Sequence, residues 1–100
     1  MIGFLRGRLQ SKDPDGIVVD TAGVGYAVEV PLSTYYELGE PGVEVELFIH
    51  TYVREDAIML FGFSTAGERS LFRKLNAVSG VGPRLALAIL GGMGPAEFLD

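Results

Sequence analysis

The sequence predicts a β barrel plus α-helices, in which a five-stranded OB-fold barrel is followed by two helices joined by a tight turn. Alternation of apolar and polar side chains, the pattern of a half-buried strand, recurs through residues 1–63 and is clearest over residues 43–53. From residue 64 onward the apolar side chains recur instead at steps of three and four, which is the helical period. A short helical stretch separates the third and fourth predicted strands, where a Greek-key barrel of the OB type carries its connecting helix.

The five predicted strands are bounded by residues that favour turns. Their predicted ranges are residues 2–9, 17–20, 26–30, 43–53 and 58–63. The sequence of residues 11–16 has the composition of a turn, and Pro31 ends the third strand. Residues 33–38 form the predicted connecting helix, with a serine or threonine hydroxyl as its N-cap. An SH3-like barrel shares the strands but lacks this helix near Tyr35.

The boundary between two predicted modules lies at residue 64. Thr65 and Glu68 have the spacing of a capping box, which predicts that a helix begins here. We therefore predict an OB-fold barrel domain at residues 1–63 and a helical segment at residues 64–100. Pro95 opens a further helix that the sequence leaves unfinished, so we expect the chain to be truncated.

The composition limits the class of protein. The chain has 100 residues, 48% hydrophobic and 21% charged, which is typical of one globular domain with an appendage. It contains no cysteine, so a disulfide framework and a cysteine-based zinc site are excluded. Arg6 and Arg8 near the N-terminus are unlike a secretory signal, and no apolar run approaches the length of a membrane span. These observations predict a soluble cytoplasmic protein with no membrane partner.

The charge is divided unevenly along the chain. The formal net charge is −5, which by itself argues against DNA binding. Residues 1–63 hold ten acidic and four basic side chains, whereas residues 64–96 hold four basic side chains and one acidic one. The four basic residues of the second segment are Arg69, Arg73, Lys74 and Arg84. Because charges are screened over about 8 Å at physiological salt, an anion at the predicted turn would respond mainly to this local cluster.

The turn between the two predicted helices is the candidate binding site. Gly80 and Gly82 allow backbone angles that a side chain would block, and Pro83 suits the first position of the second helix. The first amides of a helix have no intrahelical acceptor and lie at the positive end of its dipole, so the turn can bind a phosphate oxygen. The candidate site residues are Ser79, Gly80, Val81, Gly82, Pro83 and Arg84.

Gly80 and Gly82 have two other interpretations. A dinucleotide-binding fingerprint requires a third glycine where Leu85 stands, and a strand rather than a helical pattern before the turn. An ordinary helix-helix turn, in which the glycines only allow close packing, remains open on this stretch alone.

Glu55 and Asp56 are adjacent carboxylates at the predicted turn between the fourth and fifth strands. Such a pair is commonly a solvated surface turn. A catalytic carboxylate pair or a metal site is weakly supported, because neighbouring residues seldom converge on one atom and His50 is the only histidine. We predict that His50 is structural and that the chain has no metal site, no catalytic residues and no cofactor.

Residues 79–86 resemble a helix-hairpin-helix motif, which in DNA-binding proteins contacts the phosphate backbone without reading bases. Five ordered segments extend the resemblance over the whole chain, to the RuvA family of Holliday-junction-binding subunits of the bacterial branch-migration complex. These segments are residues 1–7, 23–26, 53–57, 60–63 and 80–83.

The resemblance implies a non-enzymatic DNA-binding subunit of recombination, DNA repair and the SOS response. It implies a homotetramer that holds four-way junction DNA open, while a RuvB ATPase, bound through a C-terminal domain absent here, drives branch migration. RuvC resolvase is a further partner that the resemblance suggests. Glu55 and Asp56 match the acidic pin of the family, where negative charge near converging phosphates favours an open junction centre.

Two other functions remain open. A general single-stranded DNA-binding OB module would stack bases on exposed aromatic side chains. The candidates for stacking are Tyr26, Tyr35, Tyr36 and Tyr52. A DNA glycosylase or nuclease would also use a helix-hairpin-helix, but it needs a catalytic acid or lysine beyond the hairpin, and none is apparent in residues 91–100.

Overall fold

The computed structural model describes residues 1–92, and the predicted helix that opens at Pro95 lies outside the described residues. The described part contains five strands and three helices. They are β1 (Phe4–Asp13), β2 (Gly16–Thr21), β3 (Val24–Val28), α1 (Leu32–Glu37), β4 (Glu44–Val53), β5 (Ile58–Phe63), α2 (Ala66–Asn76) and α3 (Pro83–Leu90). The five strands, with a helix between the third and the fourth, confirm the predicted order of elements.

The five strands form one antiparallel sheet in the order β3-β2-β1-β4-β5. Glu29, directly after β3, brings the two edges of this sheet together. Its amide donates to the Leu60 carbonyl at 2.9 Å, and its carbonyl accepts from the Gly62 amide at 2.9 Å. The sheet is therefore curled, and its topology is consistent with the predicted OB-fold barrel.

The inner face of the curled sheet forms the main hydrophobic core. Alternate residues of each strand point inward, as the period of two requires. The buried residues of this core are Leu5, Leu9, Ile17, Val19, Val28, Val45, Leu47, Ile49 and Leu60. The alternation of β4 predicted from the sequence is confirmed at Val45, Leu47 and Ile49, while Val53 lies beyond the core and is exposed.

A second cluster lies on the outer face of β5 and fixes α2 and α3 to the sheet. It is formed by Phe61 and Phe63 of β5, Phe72 of α2 and Ala86 of α3, all fully buried. The centre of the Phe72 ring lies 5.2 Å from that of Phe61 and 5.0 Å from that of Phe63. The position of the turn between α2 and α3 relative to the barrel is therefore set by aromatic packing.

The predicted start of α2 is confirmed. Thr65 is its N-cap, and the Thr65 Oγ1 atom accepts a hydrogen bond of 3.1 Å from the Glu68 amide. The same hydroxyl donates to the Glu68 carboxylate at 3.1 Å. This arrangement differs from a full capping box, in which the carboxylate would bind the amide of the cap residue.

Two local predictions are wrong. β1 continues to Asp13, so the turn predicted over residues 11–16 is reduced to Pro14 and Asp15, with a register shift between Leu9 and Ser11. The N-cap of α1 is Pro31, and no side chain caps this helix.

The hydroxyls expected to cap α1 make tertiary contacts instead. Ser33 Oγ donates to the Leu90 carbonyl of α3 at 3.4 Å, and the buried Thr34 Oγ1 accepts from Ser64 Oγ at 3.4 Å. The hydroxyls therefore tie α1 to the helical segment rather than to its own amides.

Candidate nucleic-acid interface

The turn between α2 and α3 is built on one residue that must be glycine. α2 ends with Ala77 as its C-cap, and Gly82 is the N-cap of α3. Gly80 has a φ angle of +86°, a region that a residue with a Cβ atom adopts only with strain. The Val81 amide donates to the Val78 carbonyl at 3.0 Å and closes the turn. The prediction of a tight turn at these residues is confirmed.

The prediction that Gly82 supplies backbone angles closed to other residues is wrong. The φ and ψ angles of Gly82, −83° and 175°, are those of ordinary extended backbone. A Cβ atom added to Gly82 would meet no other atom within 4 Å. Apart from the preference of an N-cap for glycine over alanine, the fold gives no conformational or packing reason for glycine here, and such a glycine is typical of a place where an outside molecule approaches the backbone closely.

The backbone of the turn is accessible. Ser79, Gly80, Gly82 and Arg84 are exposed, whereas Val81 packs into the second cluster and anchors the turn. Within residues 1–92 the amides of Gly80, Gly82 and Arg84 donate no hydrogen bond. Gly82 carries no capping side chain, so the first turn of α3 also presents unbonded amides at the positive end of its dipole. The turn can accept an anionic oxygen from solvent.

The basic residues of α2 are less available than their sequence positions suggest. Arg69 Nη1 donates to the Gly3 carbonyl at 2.8 Å and to the Ile49 carbonyl at 3.4 Å, and its guanidinium lies 5.4 Å from the centre of the Phe48 ring. Arg69 is also about 12 Å along the helix from Ala77. It therefore joins α2 to the barrel and does not belong to the turn.

Two other basic residues of the segment differ in their surroundings. Arg73 Nε donates to His50 Nδ1 at 3.1 Å, whereas the Lys74 side chain is exposed and has no hydrogen-bond or ion-pair partner within the described residues. The prediction of one cationic cluster around the turn is thus correct only in part.

Arg84 makes a contact that the sequence analysis missed. Its Nη1 atom lies 3.1 Å from Glu29 Oε1, with the Arg84 side chain 77% exposed and the Glu29 side chain 21% exposed. The two residues belong to different predicted modules and are far apart in the chain. No local sequence pattern indicates such a pair.

Glu55 and Asp56 lie at the tip of the hairpin formed by β4 and β5. The Arg54 amide donates to the Ala57 carbonyl at 2.8 Å and closes this turn, and both carboxylates are exposed. Within residues 1–92 neither of them takes part in an ion pair. We call residues 54–57 the acidic tip.

The acidic tip and the glycine turn extend from the same packed region. Tyr52 and Met59, which are paired across β4 and β5, both pack against the second cluster, as does Val81 of the turn. Glu55 lies two residues beyond the end of β4, in the turn that follows. The second cluster therefore contacts both the base of the acidic tip and the glycine turn.

His50 has a structural position, as its pattern predicts. Its ring centre lies 5.4 Å from that of Phe72, and its Nδ1 atom accepts from Arg73. Burial, followed by the positive charges of Arg73 and Arg69, lowers the pKa of His50 below 6.5. Because Nδ1 accepts this hydrogen bond, the contact with Arg73 also favours the neutral imidazole. Across residues 1–92, no three His, Cys, Asp or Glu side chains are grouped so that they could hold a metal ion.

Most of the tyrosines considered for base stacking are packed against the protein. Tyr26 and Tyr35 contact the main core, and the Tyr52 ring centre lies 6.1 Å from that of Phe61. Tyr36 is 74% exposed. The four tyrosines therefore do not form a continuous stacking surface on the barrel.

Within residues 1–92, none of the helices has the length and apolar character needed to span a membrane.

The curled five-stranded sheet with a helix between its third and fourth strands places the chain in the OB-fold class, which includes many oligonucleotide-binding modules. Residues 1–62 match the family model described as the RuvA N terminal domain. The chain belongs to this family.

Three curated relatives carry the name Holliday junction branch migration complex subunit RuvA. The protein of Syntrophobacter fumaroxidans is 59% identical over 98 residues, which is 98% of this chain and 50% of the relative. That of Thioalkalivibrio sulfidiphilus is 56% identical over 98 residues, 98% of this chain and 49% of the relative. That of Geobacter sulfurreducens is 54% identical, also over 98% of this chain and 49% of the relative. The chain spans about half the length of these relatives.

Proposed function

We propose that this chain is the N-terminal portion of a Holliday junction DNA-binding subunit. The observation that carries the proposal is Gly82, an exposed glycine that the fold does not need, next to backbone amides without acceptors. A phosphate backbone can approach such a turn closely and accept its hydrogen bonds without any reading of bases. The names of the relatives support four-way junction DNA as the ligand.

The proposal divides the chain into two modules. Residues 1–63 form an OB-fold barrel domain, and residues 64–100 form the first helix-hairpin-helix of a DNA-binding domain. In this scheme residues 79–84 contact phosphate, and Lys74, exposed on the last turn of α2, adds positive charge beside them. The aromatic cluster holds the second module on the first, so that the hairpin meets DNA in one orientation.

The acidic tip has a second role in the proposed function. Glu55 and Asp56 act as an acidic pin at the junction centre. Both carboxylates are exposed and form no ion pair within the described residues, and together they outweigh the one positive charge of Arg54, so the tip repels converging phosphates and opposes closure of the centre. Four copies around a fourfold axis would bring the tips together and place one hairpin on each arm. The chain therefore binds the arms and keeps the crossing point open.

The partners of the whole protein are part of the same proposal. The printed name of the relatives describes a subunit of a complex. We assign branch migration to a homotetramer of the whole protein in the cytoplasm, with a RuvB ATPase as its motor and RuvC resolvase as a further partner. The chain itself has no enzymatic role and needs no cofactor in this scheme.

The substitution Gly82→Ala tests the proposed contact with phosphate. The added methyl group meets nothing in the protein and needs no strained angle, so only the lower preference of an N-cap for alanine applies, and the free energy of unfolding should fall by no more than about 1 kcal/mol. The methyl group should keep the phosphate from approaching the turn closely, so a hydrogen bond to a charged group is lost. That loss costs about 1.5–3 kcal/mol of binding free energy, which predicts junction binding weaker by about tenfold or more. Fluorescence anisotropy with a labelled synthetic four-way junction measures the change.

Gly67→Ala is the matched control. Gly67 is exposed, lies in the first turn of α2, and has no close contact that a Cβ atom would disturb. This substitution should leave junction binding unchanged. If Gly82→Ala binds the junction as tightly as Gly67→Ala does, the turn is an ordinary connection between helices and the proposed site is wrong.

A general single-stranded DNA-binding module is the alternative function. The exposed Tyr36 is the feature that favours it, because base stacking needs an accessible ring. Equal affinity for a four-way junction and for a single strand of the same length, reduced by Tyr36→Ala, would support this alternative.

A further inference from the structure

We infer that Glu29 competes with DNA for Arg84, so that the first module restrains phosphate binding by the second. The inference rests on the proposed function, because it concerns the same turn. Arg84 Nη1 lies 3.1 Å from a Glu29 carboxylate oxygen, so a DNA phosphate that approaches this side of the guanidinium competes with the carboxylate.

The backbone of Glu29 is fixed in the fold. Both of its backbone groups are hydrogen-bonded to β5, where they bring the edges of the sheet together, and its side chain is only 21% exposed. The carboxylate therefore has less freedom to move than the Arg84 side chain. The Arg84 side chain is 77% exposed and can turn toward solvent or DNA. Exchange of partners is a movement of Arg84 alone.

The surroundings of the pair also draw Arg84 away from DNA. Arg84 borders a groove between the β1–β2 turn and the place where Glu29, directly after β3, pairs with β5. Three carboxylates border the same groove, those of Asp13, Asp15 and Glu29. Among the described residues that line the groove, Arg84 is the only basic residue. Removal of Arg84 by a phosphate leaves these carboxylates without a basic residue in the lining of the groove. This electrostatic cost opposes binding.

The exchange has a consequence for salt dependence. An arginine that is free before binding contributes about 0.9 to the slope of log K against log salt when it neutralises a phosphate. An arginine that leaves a carboxylate behind contributes less, because that carboxylate then recruits a cation from solution. The pair therefore lowers both the affinity and the salt slope at this turn.

Glu29→Gln tests the inference, because it removes one charge and keeps both backbone hydrogen bonds of residue 29. We expect about two- to fivefold tighter binding of a synthetic four-way junction at low salt, the range that an exposed ion pair allows. We also expect the salt slope to steepen by up to about 0.9. In an Arg84→Gln background the same substitution should change neither quantity.

Glu46→Gln is the matched control. It breaks the other ion pair of the described residues, between Arg6 Nε and Glu46 Oε2 at 2.7 Å, and changes the net charge by the same amount. Binding that is unchanged or weaker in Glu29→Gln overturns the inference. The inference is also overturned if Glu29→Gln tightens junction binding in the Arg84→Gln background, or if Glu46→Gln tightens it equally. In both cases the effect is one of total charge.

The same measurements separate this inference from the proposed function. If the unsubstituted protein shows no preference for the four-way junction over a duplex, the proposed function fails and the inference fails with it. If junction binding is normal and Gly82→Ala weakens it, but Glu29 and Arg84 are not coupled, the inference alone is wrong. Thermal unfolding of each variant confirms that the fold is kept.

Discussion

Phe72 is the side chain that should matter most for holding α2 and α3 on the barrel. It is fully buried, and its ring contacts those of Phe61, Phe63 and His50 at centre-to-centre distances of 5.0–5.4 Å. Substitution of a buried phenylalanine by alanine costs about 3–5 kcal/mol through lost burial and the cavity left behind. A domain of this size has a total stability of about 5–15 kcal/mol, so Phe72→Ala removes a large part of it.

The loss can be measured by urea and thermal unfolding. For a domain of this size each kcal/mol shifts the midpoint by about 4–8 °C, so we expect Phe72→Ala to unfold at least about 12 °C lower. Junction binding should weaken too, because Val81 of the glycine turn packs in the same cluster.

The neighbouring Leu71 provides the control for Phe72. Leu71 is 47% exposed, and alanine is at least as good a helix former, so Leu71→Ala should cost less than about 1 kcal/mol. If Phe72→Ala costs no more than Leu71→Ala, α2 is not docked on β5 and the orientation of the glycine turn is not set by this cluster.

Two further predictions concern charged and titratable groups. Neutralising the acidic tip with Glu55→Gln and Asp56→Asn should tighten junction binding at low salt, since it removes repulsion between the tip and phosphates; unchanged or weaker binding in the same anisotropy assay would contradict the role of the pin. Because the pKa of His50 is lowered in the folded state, the unfolded state takes up this proton first, and stability should be full above pH 6.5 and fall as the pH decreases below it. Urea unfolding at pH about 7.5 and about 5.5 should show a larger decrease for the original protein than for His50→Gln, and equal decreases would refute the assignment.

The parts of the fold that depend on local pattern were predictable from the sequence. The alternation in β4, the cap formed by Thr65 and Glu68, and the need for glycine at residue 80 each follow from a few neighbouring residues, and all three are confirmed. Local patterns are informative here because strand period, helix capping and left-handed backbone are properties of short segments.

The parts that depend on distant partners were not predictable in this way. Thr34 has the composition of a helix cap, but its hydroxyl pairs with Ser64 after the two modules pack together. Arg69 counts as a positive charge in the sequence, yet the carbonyls of Gly3 and Ile49 occupy its guanidinium. A sequence shows the charge of a side chain but not the acceptor that holds it.

This difference changes the physical explanation of DNA binding by an acidic chain. If the basic residues of the second module were free, they would attract DNA through released counterions, and binding would depend steeply on salt. The structure instead ties Arg69 to carbonyl groups, Arg73 to a neutral imidazole and Arg84 to a carboxylate. The exposed Lys74 and the backbone amides at the glycine turn remain, and in the proposed function these amides bind phosphate through direction and distance rather than net charge. Contacts of this kind act only at short range. The barrel and the acidic tip can therefore stay negative while the turn is held against a phosphate. For DNA binding, the fixed orientation of the turn then matters more than the total charge of the chain.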